Sequence, residues 1–251
     1  MTPASDTCRS PISCRSKTLA EAFSYTDRGT ALSGLLFRPA GAVRGAIVVF
    51  PTIANVTPHV EVKAQALADA GFIALIADFY GEPVASFEAS RPLAEKLRGD
   101  VAHYRARCHA AVAALRDVAG AGVPMAAIGF CMGGQAVLEL ARDGADLALV
   151  ASFHGLLTTG KAAEPGAVKA RILVCHGDAD PLAPRDHVRA FWEEMDAAGA
   201  NWHFHSYAGV KHGFTEPGAD KRGMAALGYD ASADRQSWAA LYSLLDELIP
   251  A

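Results

Sequence analysis

The sequence has no run of lysine and arginine of the kind that engages a polyanion. Its 23 basic residues are outnumbered by 27 acidic ones, for a formal charge of −4 at pH 7. No nucleic-acid groove and no basic face for an anionic membrane is expected from that balance. Nor does any apolar run approach the ~18 residues of a membrane span. The five cysteines, Cys8, Cys14, Cys108, Cys131 and Cys175, are odd in number and lack a C-x-x-C or other metal-ligand spacing. A chain of 251 residues needs no disulfide staples, so a reducing compartment, the cytoplasm, is the expectation. Neither a metal nor a cofactor is expected. Residues 1–17 are polar, without the apolar segment of a secretory signal. Residues 1–20 are expected to form a flexible tail, with Cys8 and Cys14 open to oxidation.

What the sequence does have is a series of short, continuous apolar runs: 46–50 (AIVVF), 72–77 (FIALIA), 125–130 (MAAIGF), 147–153 (LALVASF) and 172–175 (ILVC). Continuous rather than alternating, they suit strands buried on both faces. A further strand, 202–207 (WHFHSY), reads as an edge, and 23–26 with 32–37 as an opening antiparallel hairpin. Helical spacing of apolar residues appears over 60–70, 100–118, 134–142, 186–198 and 233–248, with Gly71 and Gly199 closing two of these. The arginines between Arg91 and Arg116 alternate with acids and read as a solvated helix face. Strands alternating with helices predict an α/β fold, a mostly parallel central sheet with helices on both faces. With no repeat and no linker, residues 21–251 are expected to form one domain.

The segment that carries chemistry is Gly129-Phe130-Cys131-Met132-Gly133-Gly134, between a predicted strand and a predicted helix. It has the G-x-nucleophile-x-G form of a nucleophile elbow, with cysteine where serine is usual. Such a sharp turn needs small residues around the nucleophile, lifts its side chain clear of the sheet, and aims a helix N-terminus at it. Phosphate-binding turns share the topology but need G-x-x-x-x-G-K-[ST] or G-x-G-x-x-G, and neither is present. Two further segments follow. In His176-Gly177-Asp178-Ala179-Asp180-Pro181 an acid lies just past a strand; Asp180 is preferred because it opens the turn into the next helix, while Asp178 shapes the loop. In Val210-Lys211-His212-Gly213-Phe214 a histidine follows the last strand. The chain order nucleophile 131, acid 180, histidine 212 is that of α/β-hydrolases and differs from chymotrypsin and subtilisin.

From about Phe23 to its C-terminus the chain resembles the dienelactone hydrolase family. The marks are GFCMGG, HGDADPLAP, KHGF and the ADFY that follows the strand at 72–76. The resemblance implies a Cys131–His212–Asp180 triad in an α/β-hydrolase fold without a large cap domain. It also implies an oxyanion hole made by the backbone N–H groups of Met132 and Ile53. Two positions depart from the family. Thr52 stands where members acting on dienelactone carry a glutamate that helps ionise the cysteine, and Glu216 stands where they carry an arginine for the substrate carboxylate. A second carboxylate-binding arginine could be Arg91 or Arg98. An acid at 216 would repel an anionic substrate, so charge complementarity favours a neutral ester or lactone over dienelactone itself.

His59, Phe79, Tyr80, His154 and Phe214 all lie near strand ends and, with Thr52, are candidate substrate contacts; for each, packing or solvation is the competing reading. His203 and His205 share one face of an edge strand without further ligands in view. Cys175 reads as inert core packing. The sequence thus predicts a hydrolase acting on a small ester or lactone. The rival is a ligand-binding or thiol redox-sensing protein on the same fold. Oligomeric state is left open.

Overall fold

A computed structural model describes residues 20–250. All but the last residue of the tail expected over 1–20, including Cys8 and Cys14, lies outside them. The chain builds one eight-stranded sheet in the order β1-β2-β4-β3-β5-β6-β7-β8. The strands are β1 (Glu21–Asp27), β2 (Thr30–Phe37), β3 (Gly45–Phe50), β4 (Phe72–Ile76), β5 (Met125–Phe130), β6 (Leu149–Phe153), β7 (Arg171–Gly177) and β8 (Trp202–Tyr207). The opening hairpin is antiparallel in itself and against β4; every other neighbour pair is parallel.

The runs read as strands buried on both faces are so. Each residue of β3, β4, β5 and β6 is buried, because helices cover both sides of the parallel sheet. One face carries α2 (Phe87–Gly99), α3 (Val101–Ala119), α4 (Met132–Arg142) and α5 (Arg185–Ala197), whose Leu97, Leu115, Leu140 and Phe191 pack in one core. The other carries α1 (Pro58–Asp69) and α6 (Ala231–Leu248), with Leu67, Leu241 and Leu245 in the second. Helix α1 begins where its chemistry dictates: Thr57 takes the Val60 N–H at 3.4 Å and Pro58 occupies the first turn.

The sequence pattern predicts one helix over 100–118, and the structure adds another before it. Pro92 sits inside α2, and the chain breaks at Gly99-Asp100, where the Asp100 side chain takes the His103 N–H at 3.0 Å and caps α3. The expectation of a solvated arginine face on this stretch is also corrected. Arg105 and Arg107 are buried, bonded to Glu139 at 2.8 Å and to Asp27 at 2.7 Å. Spacing alone cannot tell a solvated guanidinium from one whose acceptors arrive from a distant strand or helix. Among the described residues no helix is long and apolar enough to cross a membrane.

Candidate active site

The C-terminal ends of the parallel strands converge on a cavity of about 370 Å³, the expected place for a ligand in an open α/β sheet. Cys131 stands at its floor, between β5 and α4, with φ 56° and ψ −115°. A side chain held at positive φ is strained and persists only where its surroundings over-determine it. Here they do. A Cβ on Gly129 would run into the Gly133 carbonyl, and one on Gly133 into the Phe50 carbonyl. Only glycine lets the elbow close on β3 this tightly. Met132, the first residue of α4, has a backbone N–H that no intrahelical acceptor can use.

Asp180 and His212 arrive from the loops after β7 and β8. His212 Nδ1 donates to Asp180 Oδ2 at 2.7 Å, and both residues are buried. The other carboxylate oxygen of Asp180 takes the Leu182 N–H at 2.8 Å, which fixes the acid's orientation. Asp178 faces away and forks onto Arg185 at 2.9 and 2.7 Å. The second ring nitrogen of His212, Nε2, is buried and makes no hydrogen bond. Burial pulls the His212 imidazole down, but the charge of a Cys131 thiolate and the Asp180 hydrogen bond outweigh it and raise it to about 10. Imidazole, carboxylate and sulfur thus form one electrostatic unit, with a histidine disposed to be a cation at neutral pH.

Thr52 and Ile53 line the cavity on the β3 side. Their loop is tightly built. Asn55 adopts φ 61°, donates to Asp78 Oδ1 at 2.8 Å and receives the Phe79 N–H at 3.2 Å. Asp78, in the ADFY segment, also collects the N–H groups of Ser33, Tyr80 and Gly81 at 2.9–3.1 Å. The Tyr80 hydroxyl donates to the Ile53 carbonyl at 3.0 Å and lies 3.6 Å from the Met132 sulfur. One side chain therefore ties together the two residues expected to form the oxyanion hole.

Several expected substrate contacts are elsewhere. Phe79 and Phe214 are fully buried in the cores and are absent from the cavity wall, so they pack rather than bind. Tyr80 is a brace of the wall and not part of its lining. His59 is engaged with the Thr215 carbonyl at 2.9 Å, behind the cavity. His154 borders the cavity floor but exposes no surface. In their place the walls are formed by Phe87, Arg91, Ala94, Glu95 and Arg98 of α2, by Leu156 and Leu182, and by Met224, Ala226 and Leu227. No local motif marks these residues. They come from a helix and loops far apart in sequence, and only their shared position at the sheet's C-terminal edge unites them.

Glu216 does line the cavity, but its charge is engaged by Arg222 at 2.8 Å. Arg91, Arg98 and Arg222 line the same space with Glu95 and Glu216. The charge of Glu216 is therefore countered by that of Arg222. Among the described residues, no group of three or more His, Cys, Asp or Glu side chains is arranged to hold a metal. Cys175 lies in the core with its thiol pushed by burial up to about 12.

Residues 32–249 match the model of the dienelactone hydrolase family. The chain belongs to that family. Among solved structures, this family member superposes on one named m3DLH with a TM-score of 0.86 at 36% identity, covering 93% of this chain and all of that one. A dienelactone hydrolase-like promiscuous phosphotriesterase, P91, from metagenomic libraries gives 0.85 at 35%, covering 93% and 99%. A probable 2-oxo-3-(5-oxofuran-2-ylidene)propanoate lactonase of Bradyrhizobium sp is 29% identical over 191 residues, 68% of this chain and 73% of that one. The family member is accordingly an ester or lactone hydrolase with a small-molecule substrate.

Proposed function

We propose that this hydrolase cleaves its ester or lactone with Cys131 as nucleophile, His212 as acid and base, and Asp180 as orienter, through a thioester acyl-enzyme. The observation that carries the reading is the buried 2.7 Å bond from His212 to Asp180, behind a cavity whose floor holds Cys131 at φ 56°. With His212 raised to about 10 by its Cys131 and Asp180 neighbours, its imidazole is suited to take the thiol proton from Cys131. The thiolate attacks the acyl carbon, and the N–H groups of Met132 and Ile53 receive the oxyanion, each such donor contributing about 2.7–4 kcal/mol. The C–O bond breaks, and the imidazolium proton goes to the leaving alkoxide. The now neutral His212 takes a proton from water, the hydroxide displaces the thiolate from the thioester, and the acid departs. Asp180 holds the ring in one tautomer throughout.

A short-chain p-nitrophenyl ester, tested against wild type, Cys131→Ala and His212→Ala, checks this reading. Turnover is expected to vanish in both variants. Full turnover in either variant refutes the assignment, and a wild type no faster than Cys131→Ala on esters and lactones alike returns the chain to the redox-sensing alternative.

A second reading, hydrolysis of dienelactone itself, is favoured by one observation: Arg222 offsets Glu216, and Arg91 and Arg98 add positive charge to the wall. The lactonase named above is described as acting on an oxofuranylidene propanoate, an anion of similar build. Measuring a dienelactone beside the neutral ester separates the two readings.

A further inference from the structure

We propose that His154 is a positioning residue for the reaction, a strut that holds the His212 loop in register with the nucleophile elbow. The inference rests on the Cys131–His212 reading above and adds to it a residue that never meets substrate.

His154 follows β6 directly and sits at φ 41°, a conformation uncommon outside glycine that persists only where the surroundings hold it. Its ring is fully buried. Nδ1 lies 3.2 Å from the Cys131 backbone nitrogen, which also donates to the Phe153 carbonyl at 3.1 Å. A backbone N–H can only donate, so Nδ1 is the bare nitrogen and Nε2 carries the proton. Nε2 in turn lies 2.9 Å from Thr215 Oγ1, whose hydroxyl is the acceptor. Thr215 comes three residues after His212 and is itself fully buried. One imidazole thus bonds the nucleophile's own backbone at one end and the histidine loop at the other. Its edge packs against the His212 ring, with centroids 5.1 Å apart.

The far side of the loop is clamped as well. The Thr215 carbonyl accepts from Lys63 Nζ at 3.2 Å and from His59 Nε2 at 2.9 Å, both on α1. The Lys63 ammonium lies 4.4 Å from the centre of the Phe130 ring, next to the nucleophile in sequence. Protonating His154 would set N–H against the Cys131 N–H. Burial first, then the charges of His212, Lys63 and His59, hold it well below the usual histidine range. The strut is therefore neutral and of fixed tautomer while His212 cycles beside it. Misplacing a reacting group by about an ångström costs on the order of 10²-fold in rate, and this ring sets the separation between sulfur and imidazole.

The test uses Thr215→Val, which keeps shape and deletes the hydroxyl, Thr215→Ser, which restores it, and His154→Asn. Asparagine tolerates positive φ and reaches the Cys131 N–H but not Thr215. In Thr215→Val and His154→Asn, kcat is expected to fall by about 10²-fold with KM within about threefold. The pH profile of Cys131 alkylation by iodoacetamide shifts in both, and Thr215→Ser returns both properties to wild type. Nitrogen NMR of wild type should find His154 as the Nε2–H tautomer from about pH 6 to 9, a result that does not depend on any variant folding. Unchanged kcat and alkylation profile in Thr215→Val and His154→Asn, even with lowered melting temperatures, would overturn the strut, as would a protonated Nδ1. Cys131→Ala is the control: if it keeps turnover, the catalytic reading itself has failed. If it is inactive while the strut variants are normal, only this inference has.

Discussion

Asn55 and Asp78 clasp each other at 2.8 Å, joining the loop after β3 to the loop after β4. The clasp fixes the stretch that carries Ile53, yet neither residue reaches the cavity wall. Asn55→Ala would leave the Phe79 N–H unpaired and place alanine at φ 61°. The two effects together predict a loss of about 2–3 kcal/mol in stability. The proposed oxyanion donor at Ile53 would also lose its definition, so kcat should drop about tenfold or more. Cys131 alkylation, which needs no oxyanion hole, should proceed at the wild-type rate. Urea melts, steady-state kinetics and iodoacetamide labelling check the three parts separately.

The His212 charge sets a pH dependence whose sign is determined. The folded protein holds the His212 proton more tightly than the unfolded chain, about 10 against 6.5. The stabilisation is therefore complete below about pH 6.5 and fades as the pH climbs through about 10. Relative to His212→Gln, wild type should lose its stability advantage across that window in urea titrations. In Cys131→Ala the contribution of the Cys131 side chain to His212 is gone. An NMR titration should then find that His212 releases its proton at lower pH in the variant than in wild type.

Arg142 is completely buried and binds Glu139 at 3.0 Å, both Glu194 oxygens at 2.8 Å and the Leu157 carbonyl at 2.7 Å. Arg142→Met fills the space but strips a cation from two carboxylates. Breaking a buried pair from one side costs about 3–5 kcal/mol, or a fall of roughly 10 °C in Tm for a chain of this size. Leu156, beside the anchored carbonyl, lines the cavity, so KM should rise in the variant at temperatures where it remains folded.

Arg222 is the partner that offsets Glu216. Arg222→Ala leaves that carboxylate facing the cavity alone. KM for an anionic ester should then increase about three- to tenfold, while a neutral ester of equal size is unaffected. Parallel assays with a p-nitrophenyl ester and its carboxylated analogue, at low and high salt, measure the effect and its screening.

The parts of this architecture that were readable in sequence are those governed by local rules. Continuous apolar runs mark β3 to β7, and the glycines around Cys131 mark the elbow, since backbone geometry there tolerates nothing larger. The acid and histidine segments stand out because each follows a strand. The rest depends on long-range company. Helix α2 has a Ser86 cap and buries Ser90, Ala94 and Leu97 on one face, but Pro92 inside it reads as a helix breaker and hides that pattern. Phe79 and Phe214 follow strand ends as wall residues would, but their neighbours enclose them completely. The role of Arg222 depends on a carboxylate six positions away across a 3-10 turn, Ala219–Arg222. The position of His154 at a strand end leaves contact and structural roles both open; that its ring bridges to Thr215 is visible only once β6 and the His212 loop are side by side.

The cavity is assembled from widely separated parts of the chain. Cys131, Asp180 and His212 hang from the ends of β5, β7 and β8, while much of the wall opposite them belongs to α2, a single peripheral helix. On the proposed reading, reaction machinery and mould are separable modules. Residues 87–99 can drift, or be redesigned, to admit a different acyl group while the sheet that holds sulfur and imidazole in register stays as it is. A lineage built this way changes diet without relearning how to digest.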